Sequence, residues 1–136
     1  MITRDAFIES VRKCIGTPVV HMGRRCGKAL DCVGLPWAAC KDAGLELSDT
    51  DTYDGLPSGE NLTTGLSAFC TQVEDPAAAH LWQVYHGKQP RHVVVPVGSN
   101  ECGQPLVVHA LGKRRAVIET VFDGAIAVYW RIEGVA

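Results

Sequence analysis

The chain has 136 residues, 46% of them hydrophobic and 21% charged, with a formal net charge of −2. Such a composition suits one globular domain over residues 1–136, built round one core. It lacks the strong basic bias of a nucleic-acid binder, and no apolar run approaches the roughly 20 residues that cross a bilayer.

In chain order, Met1-Ile2-Thr3-Arg4-Asp5 is polar and shows no apolar segment of a secretory signal. The expectation is therefore a chain made in the cytoplasm, with thiols reduced by default. Phe7, Ile8, Val11 and Ile15 recur at helical spacing after a Thr3 cap, which predicts a helix over 4–15. Gly16-Thr17-Pro18 ends it. Residues 19–31, with Gly23, Gly27, Arg24 and Arg25, read as a loop. A second helix is expected from about Cys32 to Ala43, capped by Asp31, with Pro36 tolerated near its first turn. Residues 46–60 read as a polar surface loop, and 61–73 as a third helix through Leu62, Leu66, Phe69, Cys70 and Val73.

Beyond Pro76 the pattern turns to strands: Leu81 to Tyr85, Val93 to Val95, Leu106 to Leu111, Ala116 to Phe122 and Ala125 to Ile132. Asp123-Gly124 carries the signature of a two-residue hairpin between the last two. Helices first and an antiparallel sheet afterwards make an α+β order, with the helices packed on the sheet. Gly112-Lys113-Arg114-Arg115 reads as a solvated turn, and His80 and His86 as surface residues flanking a strand.

Six cysteines occur, at 14, 26, 32, 40, 70 and 102, with no Cys-x-x-Cys pair. Cys14, Cys40 and Cys70 lie among apolar residues and read as small core residues. Cys32 differs, because it follows a capping Asp31 at a helix start. There the macrodipole and unpaired N–H groups favour a thiolate. A nucleophilic thiol needs an imidazole to take its proton, and that imidazole needs a polar group to orient it. His92 and His109 lie on consecutive predicted strands that can present them side by side. Zinc uses the same residue types, but Cys32, His92 and His109 contain no close-spaced ligand pair. No metal or cofactor is expected. His21 and Arg24, in the loop before Cys32, are candidates to line a substrate cleft, Arg24 by pairing with a carboxylate.

The stretch Ile15-Gly16-Thr17-Pro18-Val19-Val20-His21-Met22-Gly23-Arg24, followed by Asp31-Cys32-Val33-Gly34-Leu35, resembles the N-terminal half of NlpC-type peptidoglycan hydrolases. The likeness is greatest to the short form in tailed-phage tails and gene-transfer-agent particles. Pro90-Arg91-His92-Val93-Val94-Val95 resembles the family's histidine strand, and Val107-Val108-His109-Ala110 the strand after it. The resemblance implies a papain-like NlpC fold and a thiol peptidase. Cys32 would attack an amide of a peptidoglycan stem peptide, His92 would be general base and acid, and His109 would orient His92. It also implies a place in the virion tail beside tail-tip or hub proteins. A tail-assembly protein with a vestigial site, and a soluble peptidoglycan amidase effector, are the alternatives left open.

Overall fold

The computed structural model describes residues 1–49 and 59–136. Helix α1 spans Arg4–Lys13, and the Thr3 hydroxyl accepts the Ala6 N–H at 3.0 Å as its cap. Cys14 closes the helix, and Gly16 turns the chain at φ +94°. Its apolar stripe, Phe7 and Val11, is buried against α2, Gly34–Asp42. The Ser10 hydroxyl donates to the Ala39 carbonyl at 2.6 Å, so the one polar group in that contact is satisfied. Helix α2 buries Gly34, Leu35, Pro36, Ala38, Ala39 and Cys40, which explains its weak polar alternation.

The 19–31 stretch, expected as a loop, contains a short hairpin: β1, Arg24–Arg25, pairs antiparallel with β2, Ala29–Leu30. Strands of two residues leave no readable alternation. Helix α3 runs Gly59–Leu66 and stops well before the expected residue 73. Cys70–Val73 is instead strand β3, because it pairs with the C-terminal strand. Of the 46–60 loop, residues 50–58 lie outside the described residues, and 46–49 carry no regular structure.

The remaining strands are β4 Leu81–His86, β5 Gln89–Ser99, β6 Pro105–Leu111, β7 Ala116–Val121 and β8 Ile126–Ile132. With β3 they form one antiparallel sheet in the order β3-β8-β4-β5-β6-β7. Asp123-Gly124 is therefore not a hairpin turn. The chain leaves β7 at one edge and re-enters between β3 and β4. The five steps from Val121 to Ile126 reach about 17 Å at most. Four strand spacings of a flat sheet cover about 19 Å, so the sheet must curl. Phe122 packs on Trp82 edge-to-face at 5.4 Å across this crossing.

Two burials follow from strand alternation. Val93, Val95, Val108 and Val117 join the core with Phe7, Leu35, Ala39 and Trp130. Val84, Val94 and Val107 form a second cluster under Trp82, Phe122 and Ile126. Strand β8 is held centrally by polar groups that the sequence left unread. Gln83 is fully buried, and its carbonyl accepts the Trp130 indole N–H at 2.9 Å while its amide donates to Pro90 O at 2.8 Å. His80, expected at the surface, is 3% exposed. Its Nδ1 accepts the Ile132 N–H at 2.9 Å, and its Nε2 reaches Ala136 O at 3.2 Å. The imidazole ties the last strand and the C-terminus to the start of β4.

Candidate active site

Cys32 lies in the turn just before α2 rather than in its first helical residue. Asp31 organises that turn. One carboxylate oxygen accepts the Gly34 N–H at 2.7 Å and the Arg24 Nη1 at 2.9 Å; the other accepts the Met22 N–H at 2.8 Å. Asp31 is thus the cap expected from the sequence. It also stabilises Met22 in the left-handed region at φ +62°, which a side chain rarely adopts. Gly34 has no alternative here: a Cβ would collide with the Gly23 carbonyl and sit 3.0 Å from Arg24 Nη1. The close approach at Gly34 is made by the chain's own loop.

Arg24 is committed to the same structure. Beyond Asp31, its Nη1 donates to Gly23 O at 3.0 Å and its Nε to Asp49 at 2.8 Å. With 14% of its side chain exposed, the guanidinium braces the nucleophile loop. His21 is exposed, in the turn ahead of Met22.

On the sheet, His92 near the start of β5 and His109 in β6 come together. His92 Nε2 lies 2.8 Å from His109 Nδ1, and His109 Nε2 lies 2.9 Å from the Thr120 hydroxyl on β7. This chain of partners admits a tautomer in which His92 Nε2–H donates to His109 and His109 Nε2–H donates to Thr120. His92 Nδ1 then keeps its lone pair, as a general base requires. Thr120 was not singled out in the sequence. Only the β6–β7 register, which sets Thr120 opposite Val107 and diagonal to His109, brings it there.

Cys32 packs against the core cluster that holds Val93, whereas His92, opposite Val84 of the second cluster, lies on the other face of β5. Among the described residues no hydrogen bond joins Cys32 to His92. Burial pushes the thiol up to about 12, and the adjacent Asp31 carboxylate adds to the rise. The Val93 N–H, the residue's own N–H and Arg24 act in the opposite direction without offsetting it. The thiolate expected from a helix start is therefore not the resting form. Desolvation outweighs the partial charge of the helix end.

Burial, then His109 and His86 beside it, push His92 down to about 3. Burial also lowers His109 and His80. All three imidazoles are neutral at pH 7, and each binds its proton more weakly folded than unfolded. Their contribution to stability is present above the ordinary histidine value near 6.5 and is lost as pH falls from there toward the folded values. Urea unfolding at pH 7.5 and pH 5.0 is expected to show the loss, up to about 2 kcal/mol for each histidine still neutral at pH 5. Equal stabilities at the two pH values would contradict these burials.

Arg91, beside His92, has its Nε buried with no partner among the described residues.

A solved structure, the P60 domain of an antigen from M. avium subspecies paratuberculosis, matches the fold with a TM-score of 0.55 at 16% identity. The match covers 95% of this chain and 93% of that one. At such identity the likeness shows the fold, an NlpC/P60-like α+β arrangement, and not the chemistry. No protein-family model and no curated protein matches the sequence.

Proposed function

We propose that the chain is a cysteine hydrolase that opens amide bonds in stem peptides of bacterial peptidoglycan. The observation that carries this reading is the NlpC/P60-like fold, with Cys32 in the turn before α2 and a His92–His109–Thr120 relay on the sheet. Because both partners rest neutral, the Cys32 proton passes to His92 as the sulfur attacks the carbonyl. His92 then returns the proton to the leaving amine, and water cleaves the thioester. The N–H groups of Gly34 and Leu35 already donate to Asp31. Of the helix-start donors, the Cys32 N–H is the one this reading assigns to the developing oxyanion. The sequence resemblance favours the γ-D-glutamyl to diamino acid bond as the one cut. It also favours the virion tail as the site of action, with tail-tip or hub proteins as neighbours.

Purified protein incubated with peptidoglycan is expected to release muropeptides, and Cys32→Ala to release none. Absence of cleavage by both proteins, each shown to be folded, would remove the hydrolase reading.

The protonated thiol and the missing Cys32–His92 hydrogen bond favour a second reading, a structural tail component that retains the site. Under it, a deletion would lose tail assembly and Cys32→Ala would restore it.

A further inference from the structure

Cys14 and Cys26 stand twelve positions apart, one closing α1 and the other in the turn of the β1–β2 hairpin. The hairpin folds back onto the end of α1. The Gly27 N–H donates to the Thr17 hydroxyl at 2.8 Å, and the Leu30 N–H to Pro18 O at 3.0 Å. As a result both sulfurs and an Asp42 carboxylate oxygen all lie within 4.8 Å of one another. Both cysteines are free thiols here. Two thiols and one carboxylate leave a four-coordinate zinc shell incomplete. Cys14 is fully buried, Cys26 half-buried and Asp42 exposed.

We propose that Cys14 and Cys26 are a dithiol–disulfide pair, a redox staple joining α1 to the hairpin that carries Arg24. The oxidant is a low-molecular-weight disulfide such as oxidised glutathione. Cys26, the half-buried member, is the entry point. Its thiolate attacks one glutathione sulfur, breaking that S–S bond and releasing one glutathione as thiolate. The Cys14 thiolate then attacks the Cys26 sulfur of the mixed disulfide and releases the second glutathione. The two protein thiols lose two electrons, the glutathione disulfide gains them, and their two protons end on the two glutathione thiols. The closed staple fixes the hairpin whose Arg24 holds Asp31, next to Cys32. The proposal stands independently of the hydrolase reading.

The test uses the full chain, oxidised with glutathione disulfide, alkylated under denaturing conditions and digested with trypsin. The expected product links peptide Cys14–Arg24 to peptide Cys26–Lys28, lighter by two hydrogens than the reduced pair. The oxidised protein should melt about 10 °C above the reduced one, as closing a loop of this length predicts. Cys26→Ser, which removes only the half-buried thiol, should fold, give no linked peptide and show no such gap. Full alkylation of both peptides after oxidation of the folded protein would overturn the proposal. So would protection of both thiols by equimolar zinc without formation of the linked peptide, which would make the cluster a metal site.

Discussion

Replacing Asp31 with alanine is expected to lower stability by about 3–5 kcal/mol, the range for removing one partner of a buried ion pair. Among the described residues the carboxylate accepts hydrogen bonds from two backbone N–H groups of different segments and from Arg24. The side chains of the pair are only 12% and 14% exposed, so water cannot take over these roles. After truncation, Gly34 loses its cap and Met22 keeps an unfavourable backbone angle with its N–H unpaired. Arg24 retains Asp49 but loses its inner partner. Asp31→Asn should fall between, since one amide oxygen still caps Gly34 while the charge is gone. Urea unfolding of the three proteins decides this, and a loss below about 1 kcal/mol would place the pair with weak surface bridges. The same substitution carries a second signature. Asp31 raises the Cys32 thiol and Arg24 lowers it, so Asp31→Ala should make Cys32 alkylate faster at a given pH while the fold weakens.

How much of this arrangement was legible in the sequence depended on whether local chemistry or long-range pairing decides each element. The Thr3 and Asp31 caps were readable because a side chain of the right length bonds N–H groups a few residues away. The β4, β5 and β6 strands and the neighbourhood of His92 and His109 were readable because consecutive antiparallel strands pair and their side chains alternate. Strand β3 was read as a helix because Cys70 to Val73 has no local preference that outweighs its pairing with β8, sixty residues later. Asp123-Gly124 carried a true turn composition, yet the turn serves a crossing, and Gln83, Trp130 and His80 fix β8 elsewhere. His80 looked exposed because a polar residue before a strand usually is. Only the Ile132 N–H and the Ala136 carbonyl make its burial affordable. Thr120, the Cys14–Cys26 approach and the suppression of the Cys32 thiolate all depend on tertiary distance or desolvation, which no spacing rule encodes.

His92→Ala is expected to reduce peptidoglycan cleavage by about 10²–10⁴-fold, the usual worth of a positioned general base. The argument rests on the resting protonation states. A thiol pushed to about 12 supplies almost no thiolate at pH 7. The attack therefore depends on a base that takes the proton during the reaction, and the proposed function assigns that role to His92. His109→Ala should cost less, because His109 Nδ1 holds His92 in place by accepting from its Nε2 and takes no proton from the thiol. That variant has a distinguishing signature. Burial is the first cause of the low His92 value and His109 the second, so removing His109 should move the acid limb of the pH–rate profile upward. In the parent, His92 stays neutral down to about 3, and the rate constant at saturating substrate should hold nearly level from pH 7 to pH 5 while the protein remains folded. An acid limb centred near 6.5 in the parent would show that His92 is solvated like an ordinary histidine. Equal losses in the two alanine variants, with no shift of the limb, would show that the imidazoles act on the fold and not on the thiol.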